Sequence, residues 1–296
     1  MLQFQVSNLF INVHSDNLGS FNSMKNYLCK GNFNGDLNFY FDTKDNIEIP
    51  KGELISDEEI NIKWLKKDSN QDGYYIYAKN HGCVGDTIAL MDVAPDWRSA
   101  SITLRNIDML APAEYNFNQS QSLLATHILM GVVFRYFLIH FQGLVGHASS
   151  IKWQGKGLMF SAPSGTGKST HVKLWQKYIP DVTVLNDDTP AIRLIDKKPI
   201  IFGTPWSGSS FINCNDSAPL EAIVLLEQSP INEIRKLTIN EAIMSFMPRV
   251  MFPYFNMNYM NEALRIFEQI VLSVPVYLLK CRPDQEAVEL VYQCMK

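Results

Sequence analysis

Residues 161–170 read Ser161-Ala-Pro-Ser-Gly-Thr-Gly-Lys-Ser-Thr170, and this stretch decides how the chain is read. A short apolar run, Gly157-Leu-Met-Phe-Ser161, precedes it, and a helical pattern, Thr170-His-Val-Lys-Leu-Trp-Gln-Lys-Tyr178, follows. Strand, glycine-rich turn and helix is the context in which this pattern reads as a phosphate-binding loop. Gly165 and Gly167 lack Cβ, so the backbone can turn tightly and aim successive N–H groups inward. The following helix adds the partial positive charge of its N-terminus. Ser164, Gly165, Thr166, Gly167, Lys168, Ser169 and Thr170 are therefore the expected nucleotide-binding residues. Lys168 supplies a mobile charge for the β- and γ-phosphates, and Ser169 a hydroxyl for Mg²⁺. Ala162 stands where the usual pattern has its first glycine.

Outward from the loop, Asn186-Asp187-Asp188 follows an apolar strand. Adjacent carboxylates at a strand end, shortly after such a loop, suit a metal-and-base role: one holds Mg²⁺, the other accepts a proton from an attacking hydroxyl. His147 lies in Gly146-His-Ala-Ser-Ser150, on a strand expected to pair with the one feeding the loop. Its imidazole can then lie beside the aspartates and tune their proton affinity. Gly203-Thr-Pro-Trp-Ser-Gly208 reads as a shaped loop near a site, with an exposed Trp206. His171 reads as packing or surface, and His127 and His140 as core-helix residues.

The remaining chain bounds the alternatives. Its 296 residues suggest two domains. With 46% hydrophobic and 19% charged residues it is a globular composition. A net charge of −4 gives no basic footprint for nucleic acid. Five scattered cysteines (Cys29, Cys83, Cys214, Cys281 and Cys294) show no metal or redox spacing and read as reduced thiols in a cytoplasmic protein. The N-terminus lacks signal-peptide character. The apolar stretch Leu123–Phe141 is broken by His127, Arg135 and His140, so a core helix over about 120–141 is expected and not a membrane span.

A β-rich N-terminal domain is expected over 1–115, with strands near 4–13, 37–41, 73–78, 87–91 and 101–104, and a linker at 111–118. The second domain, 120–296, should hold a hairpin (Val145–Trp153 with Leu158–Ser161) and then strands near 183–185, 191–195, 200–202, 222–226 and 276–279. Helices are expected near 238–248, 258–272 and 284–295.

Taken together, Ser164-Gly-x-Gly-Lys-Ser169, His147 upstream and Asp187-Asp188 downstream resemble the catalytic domain of HPr kinase/phosphorylase, over roughly residues 120–296. That family shares its fold with ATP-dependent phosphoenolpyruvate carboxykinase. The resemblance implies an α/β (α+β) P-loop domain on a β-rich core, unlike the doubly wound sheet of ordinary NTPases. It implies ATP and Mg²⁺ as cofactors. It further implies Lys168 on phosphate, Asp187 as general base with His147 as partner, and Asp188 with Ser169 at the metal.

The departures also matter. Thr170 replaces the glutamate of HPr kinases, as in carboxykinase-like loops. The Leu-Glu-Ile-Arg-Gly-type segment is missing, and Gly203–Gly208 stands in its place. Arg193, Arg249 and Arg282 are candidates for phosphate neutralisation, and the sequence does not choose among them. The Gly-Thr-Pro-Trp-Ser-Gly variant resembles HPr-kinase-like proteins of modified-peptide biosynthesis. The expected function is ATP-dependent phosphorylation of a serine hydroxyl on a peptide or small protein. A small-molecule kinase and a non-catalytic nucleotide sensor are the alternatives. No nucleic-acid or membrane partner is expected, and homo-oligomerisation is left open.

Overall fold

The computed structural model describes residues 1–15, 18–31, 33–59, 62–68, 72–79, 87–105 and 121–296. The expected linker at 111–118 and Cys83 lie outside these residues. The chain divides into two compact units, Met1–Phe137 and Leu138–Lys296. The division falls after the long apolar helix.

In the first unit, β1 (Leu2–Val6), β2 (Leu9–His14), β3 (Leu37–Lys44), β4 (Glu53–Glu59), β5 (Ile62–Lys66), β6 (Tyr74–Lys79), β7 (Thr87–Val93) and β8 (Ser99–Arg105) form one sheet in the order β1-β2-β3-β8-β7-β6-β5-β4. The run Phe4–Val13, read as one strand, is a hairpin. Ser7 and Asn8 take left-handed φ values of 54° and 60° and make the two-residue turn between β1 and β2. Helix α1 (Gln121–Phe137) packs on β7 and β8, and 3-10 residues 138–141 follow it in the second unit. Alternating side chains such as Ile76, Met91 and Ile102 are fully buried. Trp97 is also fully buried, with Trp64, Tyr74 and Tyr136 around its ring. No helix among the described residues is long and apolar enough to cross a membrane.

The second unit is built around one long strand. Its strands are β9 (Gly143–Val145), β10 (Ala148–Trp153), β11 (Lys156–Ser161), β12 (Val182–Asp188), β13 (Ala191–Ile195), β14 (Lys198–Phe202), β15 (Ser217–Gln228), β16 (Glu233–Lys236) and β17 (Val276–Cys281). The first residues of β15 pair antiparallel with β14, which continues to β13 and β9. The rest of β15 runs parallel to β11 on one side and β17 on the other. Beyond β11 lie β10 and then β12. Parallel strands buried on both faces should read as continuous apolar runs, and Ala222-Ile-Val-Leu-Leu226 does.

Helices α2 (Lys168–Tyr178) and α5 (Gln285–Met295) pack with Ile151, Leu158, Phe160, Trp175, Val224 and Leu279 in one core cluster. Burying each such large side chain stabilises the fold by about 1.5–3 kcal/mol. Helix α4 (Met257–Ser273) packs on β9 and β14, and α3 (Ile239–Phe246) packs on α4. Side-chain caps start three of these helices: Thr238 with Glu241 for α3, Asn256 for α4 and Asp284 for α5. Helix α2 differs, because Gly167 at its N-cap offers no side chain to its first amides.

Candidate functional site

The glycine-rich turn joins the end of β11 to α2. Gly165 has φ 76° and Gly167 φ 113°, values that disfavour any side chain bearing Cβ. A Cβ on Gly165 would meet nothing within 4 Å, so the requirement there is conformational and not one of space. The turn is held by Thr166 N donating to Pro163 O at 3.3 Å and by Gln228 Nε2 at the end of β15 donating to Thr166 O at 3.3 Å. Ala162 is buried beneath it, and its small side chain fits the core cluster.

Lys168 opens α2 and folds back over the turn. Its Nζ lies 2.7 Å from His147 Nε2 and donates to Ala162 O at 3.2 Å. An ammonium has no lone pair, so His147 must accept at Nε2 and carry its proton on Nδ1. That Nδ1 faces Asp188 Oδ1 at 3.7 Å, an electrostatic contact longer than a hydrogen bond. His147 thus reaches Asp188, not Asp187. Burial lowers its pKa, the Lys168 charge lowers it further, and neutral imidazole results. Burial also lowers the Lys168 pKa and raises that of Asp188, the latter opposed by the Lys168 charge.

The strand pairing explains these positions. Ala148 lies opposite Ser161 on one side and Asp188 on the other, so β10 brings the loop and the acidic pair to the same end of the sheet. His147, one residue before β10, is fixed there by its N–H donating to Arg249 O at 2.7 Å. Its own carbonyl accepts from Ser161 Oγ at 2.7 Å. Asp187 is buried and takes a hydrogen bond from Ser149, its cross-strand neighbour.

The three arginines differ in their surroundings, and Arg249 and Arg282 both border clefts that the glycine-rich turn lines. Arg249 lines a cleft of about 740 Å³ over the turn, and its charge depresses the pKa of both His147 and Lys168. Arg193 is held by Phe141 O. Arg282 is held by Asp284, Glu286 and Pro230 O, and it borders a second cleft of about 560 Å³ with Thr170 and Leu174.

Other expectations change. Trp206 is 9% exposed and not an open side chain, because its backbone is pinned to residues at the end of β12. His140 is exposed, within hydrogen-bond reach of Tyr259 Oη at 3.0 Å, because α1 ends at Phe137. His171 is buried under Trp175, whose Nε1 donates to it. Ser149, Asn186 and Thr204 were not singled out as site residues in sequence. Ser149 lies in β10, two residues after His147, and meets Asp187 across the strand pairing. Asn186 directly precedes the acidic pair.

Fold and site define a mixed α/β protein, built on large sheets with few helices, whose glycine-rich turn meets a Lys–His–Asp line. No family model matches the sequence, and no curated protein matches it. Among solved structures, the Hpr(Ser) kinase/phosphatase from Coxiella burnetii is matched over 51% of this chain and 95% of that chain, with TM-score 0.30 and 12% sequence identity. A likeness that weak carries no argument about activity, which has to be argued from the residues.

Proposed function

We propose that this protein is an ATP-dependent phosphotransferase that phosphorylates a serine hydroxyl on a peptide or small protein. The observation that carries the reading is the Lys168–His147–Asp188 line at the mouth of the glycine-rich turn, with contacts of 2.7 and 3.7 Å. It puts a phosphate-binding cation beside a half-buried carboxylate able to take a proton.

The turn amides and Lys168 hold the β- and γ-phosphates, and Arg249 adds charge from the cleft wall. Ser164, Gly165, Thr166, Gly167, Ser169 and Thr170 complete that cradle. The acceptor oxygen attacks the γ-phosphorus while the bond to the β-γ bridging oxygen breaks and ADP leaves. The hydroxyl proton passes to Asp188, whose ionised state the neighbouring Lys168 charge favours. His147, neutral and protonated at Nδ1, orients that carboxylate and keeps Lys168 close.

Ser169 and Asp187 offer oxygen donors for Mg²⁺. Among the described residues no cluster of three or more His, Cys, Asp or Glu forms an all-protein cage. Such a donor set fits an ion that keeps water and phosphate as most of its ligands. When bound, Mg²⁺ neutralises charge on the transferring phosphate.

The test is a mass-spectrometric assay with ATP, Mg²⁺ and a panel of serine-containing peptides, with Lys168→Ala as control. Gain of one phosphate on a peptide, lost in the control, supports the reading. Bound ATP with transfer to no peptide, but to free serine or another small hydroxyl compound, replaces the acceptor class. Bound ATP with no turnover at all makes the protein a nucleotide sensor.

A further inference from the structure

We propose that Asn186 is a positioning residue that locks the loop from Gly203 to Gly208 onto Asp188, so that loop and proton acceptor form one rigid wall of the acceptor site. The acceptor role of this wall rests on the phosphotransfer reading above.

Asn186 is fully buried. Its Nδ2 donates to Thr204 O at 2.8 Å, Thr204 Oγ1 at 3.0 Å and Trp206 O at 3.0 Å. Its Oδ1 accepts from Asp188 N at 2.9 Å and Thr189 N at 2.7 Å. The orientation of the amide is fixed by these partners, because a flipped amide would face two N–H donors with its own NH₂. The loop answers in kind. Thr204 Oγ1 donates to Thr189 O at 2.9 Å, and Thr189 Oγ1 donates to Trp206 O. The circuit closes at Gly208, where a Cβ would stand 3.0 Å from the Asp188 carboxylate. Asn186 therefore bonds the backbone of the acid on one side and the backbone of the loop on the other.

Every polar atom of this amide is spent on holding two other segments, and none is turned to solvent. A residue whose task was packing alone could be apolar at far lower risk, since a half-satisfied buried network costs more than none. What the network gains is a fixed position for the Asp188 carboxylate against the loop.

Asn186→Ala leaves several buried groups unpaired and risks failing to fold, so Thr204→Val is the working variant and Thr204→Ser its rescue. Three quantities are read on the full chain: ATP affinity by calorimetry, hydrogen exchange of the 203–209 amides, and kcat with the acceptor peptide. Thr204→Val should speed exchange in that segment and lower kcat by about tenfold or more, with ATP affinity within about twofold. Thr204→Ser should restore both. Unchanged exchange overturns the proposal, as does faster exchange with unchanged kcat. A parallel loss of ATP affinity also overturns it, because that marks general destabilisation. If the wild-type protein transfers phosphate to no acceptor, the phosphotransfer reading fails separately. Hydrogen exchange of the Asp188 and 203–209 amides then decides the coupling: faster exchange in Thr204→Val, reversed in Thr204→Ser, supports it, and unchanged exchange ends it.

Discussion

Ser149 Oγ donates to Asp187 Oδ1 at 2.5 Å across the pairing of β10 with β12, and both residues are buried. A buried carboxylate stripped of its donor bears the full cost of its desolvation. Ser149→Ala should therefore destabilise the second unit by about 1–3 kcal/mol. Urea unfolding followed by tryptophan fluorescence measures it, and an unchanged midpoint would show that the bond adds nothing.

The two aspartates should separate by substitution. Asp188→Asn removes the proposed proton acceptor, so kcat should fall by about 10²–10⁴ while ATP affinity stays near wild type. Asp187→Asn should act instead through the Mg²⁺ dependence of the rate. If Asp187→Asn gives the larger kcat loss at saturating Mg²⁺, the roles are reversed.

Asp188 must be ionised to accept a proton, and burial raises its pKa above the ordinary carboxylate value. The rate should thus be fully present at neutral pH and lost as pH falls through that raised value, earlier than an exposed aspartate would dictate. A kcat–pH profile whose acid limb lies at or below the ordinary value of about 3.9 would contradict this.

His171 gives a pH dependence of stability instead of rate. Burial takes its pKa from 6.5 down to about 4. The unfolded chain binds the proton first on acidification, so stability present above pH 6.5 is lost as pH falls towards about 4. At roughly 1.4 kcal/mol per unit the loss is about 3 kcal/mol. His171→Gln keeps an acceptor for Trp175, and the difference between its unfolding free energy and that of the wild type should shrink across this range. A difference constant with pH would remove His171 as the cause.

Gly208 has φ 58°, and a Cβ there would press on the Asp188 carboxylate. Gly208→Ala should reduce kcat more than ATP affinity. Equal effects on both would place the strain elsewhere.

Much of this was legible in the sequence, for local reasons. The loop 161–170 announces its own strand and helix, and the pairing of β10 with β11 follows from Gln154-Gly155 between two apolar runs. Strand β13 falls at 191–195 as read, because Asp196-Lys197 supplies the turn. Strand β16 was missed: Glu233-Ile-Arg-Lys236 has one apolar residue and is a strand only because β17 lies beside it. The proximity of His147 and Asp188 could be anticipated from the expected strand pairing, yet which aspartate it meets depends on register. Shifting a strand by one residue exchanges its faces. Asn186 and Arg249 owe their importance to segments distant in sequence, the loop after β14 for Asn186 and the entry to β10 at His147 for Arg249, and no local pattern announces such meetings.

Strand β15 has a consequence for how the molecule comes into being. The glycine-rich turn hangs from the end of β11, and β11 is flanked by β10, its near neighbour, and by β15, where Phe160 lies opposite Val224. During synthesis β10, β11, α2 and β12 emerge together and can pair, but β11 keeps an open edge until residues 217–228 arrive. Pairings between distant segments form slowly, and an exposed apolar strand edge invites association in the interval. A ribosome stalled before Ser217 should therefore hold a chain that contains the whole loop and yet retains no nucleotide.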